Sequence, residues 1–131
     1  MAATYRDALE TLEGARKLIR NPKRWVKNKY AVDKNGSPVK PTNKRAVAFC
    51  ALGAVQHVDG PGEDLAIEIL ESAAREELIS LGEIEDDLNN QEPDEEMIFS
   101  VNDEFGRYYV LSMFRRAIKI AKSKKRGKKS T

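Results

Sequence analysis

The stretch "AFCALGAVQHV", residues 48–58, holds the chain's one cysteine and one histidine, and its reading decides the fold. Apolar residues run almost unbroken from Ala46 through Phe49, Leu52 and Val55 to Val58. A helix that is apolar on every side belongs in the middle of a core. Residues 44–58 are therefore expected to form a buried central helix, entered at Pro41-Thr42-Asn43 and stopped by Asp59-Gly60-Pro61-Gly62. Gly53 within it gives up ~1 kcal/mol of helix propensity relative to alanine, which predicts a point where another backbone comes close. On one helix, Cys50 and His57 share a face but stand ~10.5 Å apart along the axis. A nucleophile and its base must approach to ~3 Å. The pair is thus expected to be no dyad, with Cys50 buried and inert and His57 answered by the dipole at the helix C-terminus.

Upstream, Tyr5, Ala8, Leu9, Leu12, Ala15 and Ile19 recur at three- and four-residue spacing, the signature of an amphipathic helix over 4–20. Thr4 with Asp7 suits a capping box, and Asn21-Pro22 ends the helix. In "WVKNKYAVDKNGSPVK", residues 25–40, the valines and Tyr30 favour extended backbone and Asp33–Gly36 supplies a turn, so a short hairpin is expected. Trp25 at its start reads as a packing anchor, with stacking on a ligand as the alternative. Downstream, Leu65, Ala66, Ile69, Leu70, Ala73, Ala74 and Leu78 mark a helix over 63–81. "MIFSV", 97–101, is short, apolar and β-prone, and is expected to add an edge strand. Asn102-Asp103 reads as the cap of a last helix over 104–122. The expected fold is α+β and mainly α: about four helices around the central one, with a small hairpin or three-stranded β element. Residues 1–121 would form a single globular domain and 122–131, "KSKKRGKKST", which has no apolar residue to bury, a disordered basic tail.

The 131 residues carry a net charge of only +2, but it is segregated. Residues 16–45 hold eleven Lys/Arg and one acid; residues 63–104 hold sixteen Asp/Glu and one base; residues 105–131 hold ten Lys/Arg and no acid. Such blocks either neutralise one another across the folded surface or present docking surfaces. The single cysteine allows no internal disulfide, the N-terminal residues lack a signal-peptide pattern, and no apolar run is long enough for a bilayer. A cytoplasmic protein without membrane contact is expected. One Cys and one His do not fill a four-ligand zinc site, and the acid run lacks the alternating spacing of a calcium loop, so no metal and no cofactor is expected.

Trp25, Tyr30-Ala31 with Asp33 and Gly36, Ala46 with "FCALGAV" (49–55), "VND" (101–103) and "FRRAI" (114–118) together resemble a family of small uncharacterised proteins of actinobacteria and bacteriophages. The resemblance spans roughly residues 5–121. It implies no activity and no catalytic residues, but it does imply that Cys50–Gly53–Ala54 and Asn102–Asp103 belong to one spatial unit and that a phage accessory gene is a reasonable source. The acidic stretch before "MIFSV" and the basic tail depart from the pattern.

Three functional readings follow. The first is a small intracellular accessory or regulatory protein that binds a host or phage protein through acidic residues 83–104: Glu85, Asp86, Asp87, Asp94, Glu95 and Glu96. The second is nucleic-acid binding by the basic segment 16–45 and the tail, through Lys23, Arg24, Lys27 and Lys29 with Lys124, Lys125 and Arg126, since clustered cations suffice to neutralise phosphates. The third is a cysteine-dependent enzyme, which needs Trp25, Cys50, His57, Asn102 and Asp103 to converge on one pocket. The missing nucleophile–base motif favours binding over catalysis.

Overall fold

The computed structural model describes residues 3–85 and 92–129, and it is mainly helical with one two-stranded antiparallel sheet. In chain order the elements are α1 (Tyr5–Ile19), β1 (Ala31–Val32), β2 (Ala48–Phe49), α2 (Ala51–Val58), α3 (Glu63–Ser80), α4 (Glu95–Ser100) and α5 (Arg107–Lys129). The α+β, mainly α class read from the sequence is the class observed.

Helix α1 forms as its pattern dictates. Asp7 N donates to Thr4 Oγ1 at 3.1 Å and Thr4 N to Asp7 Oδ2 at 3.0 Å, a complete capping box. Its buried stripe, Ala8, Leu9, Leu12, Ala15 and Ile19, packs against α2, α3 and α5. Arg107 at the start of α5 closes the other end: its Nε and Nη2 donate to the Ile19 and Arg20 carbonyls at 3.1 and 2.6 Å. These carbonyls belong to the last turn, where no helical donor follows.

The central helix is shorter than its apolar run. It spans Ala51–Val58 rather than 44–58, and Cys50 is its extended N-cap, with φ −76° and ψ 176°. Ala48–Phe49 are strand, paired with Val32 and Ala31. A segment apolar at every position carries no period, so it suits a buried strand as well as a buried helix. Pairing with a distant strand decides the matter here. Gly53 does mark a close approach: a Cβ placed there would lie 2.0 Å from the Tyr30 carbonyl oxygen.

The expected 25–40 hairpin is present in short form: Asp33 N donates to the Ser37 carbonyl at 2.9 Å and Val39 N to the Ala31 carbonyl at 3.0 Å. Asp33 Oδ1 accepts from Asn35 N and Ser37 N, and an isolated bridge joins Val32 to Pro38. The ladder itself runs from β1 to β2, and Trp25 bridges to Phe49 beyond it. The expected edge strand at 97–101 is helical instead. Asp94 caps α4 by accepting from Met97 N at 3.1 Å, and Met97, Ile98 and Val101 turn inward together, a helical rather than alternating spacing. A π-helical turn, Val101–Phe105, follows, closed by Gly106 N donating to Val101 O at 3.1 Å. Helix α5 therefore starts at Arg107, not 104. It continues to Lys129 instead of ending at 122, through lysine and arginine that favour helix and without a proline to stop it.

Candidate functional site

Asn102 is wholly buried, and its amide joins three parts of the chain. Its Oδ1 accepts from Trp25 Nε1 at 2.8 Å and from Ala51 N at 2.9 Å. Its Nδ2 donates to the Val26 carbonyl at 3.1 Å and to Asp103 Oδ1 at 2.8 Å. Both lone pairs and both protons of the amide are thereby used. Asp103 Oδ1 also accepts from Asn28 N at 2.8 Å, which holds Asn28 in a left-handed conformation with φ 66°. The expectation that Asn102 or Asp103 caps α5 is corrected. Asn102 serves the first turn of α2 from across the fold, where a free N–H would otherwise be orphaned.

Cys50 lies beside this node. It lines a small cavity of about 100 Å³ with Asn28, Lys29, Tyr30, Phe99 and Asp103. As the N-cap it accepts from Gly53 N through Sγ at 3.3 Å. The sequence placed it two turns inside a helix; it stands instead at the helix N-terminus, where thiol pKa values usually fall. Burial wins over that effect, with a further contribution from the Asp103 carboxylate, and pushes the Cys50 thiol up to about 11. At neutral pH the thiol is therefore almost wholly protonated. His57 does not share this cavity. Its Nδ1 is 2.7 Å from the Pro41 carbonyl, so that nitrogen carries the proton, and its ring packs on Phe49 with centroids 4.4 Å apart. The structure thus gathers Trp25, Cys50, Asn102 and Asp103 and leaves His57 on the far end of α2. Alkylation of native Cys50 is accordingly expected to be slow at pH 7–8 and to keep accelerating above pH 9. Labelling as rapid as that of the unfolded chain at neutral pH would contradict the burial.

The acidic residues gather around a different neighbour. Glu95 and Glu96 are exposed in the first turn of α4, beside Asp94. Burial, then the charges of Glu95, Asp94 and Glu68, hold the Glu71 carboxyl on α3 above its ordinary range. Tyr30 is likewise raised, by burial and then by Glu95. Its ring is 44% exposed and meets Phe99 edge to face at 5.6 Å. Glu85 is exposed; Asp86 and Asp87 lie outside the described residues.

The basic candidates are spread more widely. Lys23, Lys27 and Lys29 are exposed between α1 and β1, whereas Arg24 is half-buried, with its guanidinium 5.9 Å from the Phe49 ring centroid. On α5, Lys124 and Arg126 are exposed, and Lys125 and Arg126 border Leu9 of α1. Glu77 escaped sequence reading: it is 3% exposed, accepting from Ser112 Oγ and Arg116 Nε on α5, both at 2.8 Å. Its phase was a usable signal, since it falls in step with Leu70, Ala73, Ala74 and Leu78 on the buried stripe of α3.

Among the described residues, no three metal-ligating side chains converge, and no helix is long and apolar enough to cross a membrane. No curated protein and no solved structure matches the chain. A family match covers residues 3–120, from the cap of α1 through most of α5 and including the whole Trp25–Cys50–Asn102–Asp103 node: the chain belongs to DUF6197, a family of unknown function.

Proposed function

We propose that the protein is a small intracellular accessory or regulatory protein whose acidic face, built on α3 and α4 beside Tyr30, docks a basic segment of a host or phage protein. The observation that supports this reading is the crowding at Glu71. Burial holds its carboxyl above the ordinary range, and the charges of Glu95, Asp94 and Glu68 raise it further. Like charges held this close repel, and a lysine- or arginine-bearing partner relieves the repulsion. The exposed Tyr30 ring against Phe99 offers an aromatic platform at the edge of the same face, a residue type enriched at interfaces. The sign of the pH effect follows. A raised carboxyl is protonated more readily as pH falls, so partner binding strengthens as pH rises through the carboxylate range.

The test is affinity capture from bacterial lysate at low salt, comparing wild type with Glu68→Gln/Glu95→Gln/Glu96→Gln. All three residues are exposed, so the fold should survive. A basic protein held by wild type, released by salt and lost with the variant is the expected outcome. Equal recovery by both chains, or no specific partner for wild type, overturns the reading. Nucleic-acid binding is the second reading, favoured by the exposed lysines 23, 27 and 29 and by the exposed cations on α5. Oligonucleotide affinity falling steeply with salt would favour it.

A further inference from the structure

We infer that the groove between α3 and α5 is a binding site for a small phosphorylated molecule with more than one anionic group. It lies apart from the acidic face and goes beyond the docking function proposed for that face. The groove encloses about 750 Å³, within the range of small-molecule pockets. Four cations line it, Arg115, Arg116, Lys119 and Lys124, against a single acid, Glu76. Arg115 and Arg116 lie four and three residues before Lys119, so these three share the side of α5 opposite the buried Val110, Phe114, Ala117 and Ala121, and Lys124 joins them at the end of the groove.

Arg116 is what makes this a built site rather than a basic patch. Its Nε is anchored at 2.8 Å on Glu77, a carboxylate only 4% exposed in its side chain. Ser112 Oγ donates to the same carboxylate oxygen. A guanidinium fixed on its inner edge presents its outer nitrogens in a set direction, and its planar fork matches phosphate oxygens. The outer edge is still open to a ligand: Nη1 meets Glu76 only at 3.8 Å, and the Arg116 side chain remains 36% exposed. The hydroxyls of Ser72 and Ser123 line the groove as further donors.

The lining also indicates which class of phosphate fits. Among the described residues that line it, Ile120 is the one apolar side chain and none is aromatic. Single-stranded nucleic acids draw sequence-tolerant affinity from bases stacked on aromatic rings. A groove that is concave, cationic and without rings suits a compact polyphosphate or a sugar carrying several phosphates instead.

The test is a titration of the full chain with tripolyphosphate, followed by amide NMR shifts. The companion variant is Arg115→Gln/Lys119→Gln, which alters two exposed residues and leaves the Arg116–Glu77 anchor in place. Shifts centred on Ser72 and on 112–119, with binding about tenfold weaker in the variant, are expected. Orthophosphate should bind more weakly than tripolyphosphate at equal ionic strength. The inference is overturned if no shifts occur at millimolar tripolyphosphate, if they are confined to 122–129, or if the variant binds like wild type. It is equally overturned if a single-stranded oligonucleotide binds through these residues more tightly than tripolyphosphate does. None of these outcomes depends on whether the acidic face captures a partner.

Discussion

Gly53→Ala is expected to destabilise the protein by about 2–4 kcal/mol, a large part of the stability of a small protein. Alanine would ordinarily help here, since glycine within a helix costs ~1 kcal/mol. The position allows no such gain. A Cβ would stand 2.0 Å from the Tyr30 carbonyl oxygen and 2.9 Å from its carbon. Those are backbone atoms, so no rotamer change relieves the clash. The same carbonyl accepts from Cys50 N at 3.1 Å, at the junction between β2 and α2. Pushing it away breaks that bond and strains the adjacent Ala31↔Phe49 pair. Overpacking alone costs about 1–3 kcal/mol, and the lost hydrogen bond adds about 1 kcal/mol. Thermal unfolding should show a fall of more than about 10 °C. Gly36→Ala is the contrasting control: Gly36 has φ +82° but nothing within 4 Å of a Cβ, so only local strain of about 1 kcal/mol is expected. If the two variants melt alike, the close approach at Gly53 is wrong.

The elements that were legible in the sequence are those whose signals are local. Thr4 and Asp7 announce the start of α1, and the stripes of α1, α3 and α5 follow from spacing alone. Gly53 was readable because a glycine in an apolar helix asks for a reason. What was not legible depends on distant partners. Ala48–Phe49 become strand because Ala31–Val32 lie across from them. "MIFSV" has strand-forming residues, but an Asp94 cap and a core below turn it into helix. The candidate site divides in the same way. That the Cys50 and Asn102 segments meet was anticipated through the family resemblance, whereas the four hydrogen bonds of Asn102 reach 51 to 77 residues along the chain in three cases out of four. No spacing rule encodes such contacts. The Glu77–Arg116 bond, 39 residues apart, is of the same kind, though a buried-phase glutamate hints that a cation must answer it.

Replacing Asn102 should match or exceed the Gly53 effect, for a different reason. Asn102→Ala leaves the Trp25 indole N–H, the Ala51 N–H and the Val26 carbonyl without their partner. An unsatisfied buried polar group costs about 1–3 kcal/mol, and water entering the new space recovers part of that, so about 4 kcal/mol is expected. Asn102→Asp separates hydrogen-bond complementarity from volume. The side chain keeps its size, and Oδ1 can still accept from Trp25 and Ala51. Its second oxygen, however, would face the Val26 carbonyl and Asp103 Oδ1, where an amide now donates to both at 3.1 and 2.8 Å. Acceptor against acceptor in a buried site, with a second negative charge beside the first, makes this isosteric change at least as damaging at neutral pH. Protonation restores one donor, so the aspartate variant should regain stability on acidification relative to the alanine variant. The chain's single tryptophan provides the readout before global unfolding. With its Nε1 released from Asn102, Trp25 emission should shift to the red in both variants under conditions where the helical signal is retained. An Asn102→Asp chain that melts within a few degrees of wild type, with Trp25 emission unchanged, would mean that Asn102 fills space and does not tie Trp25 and the first turn of α2 together.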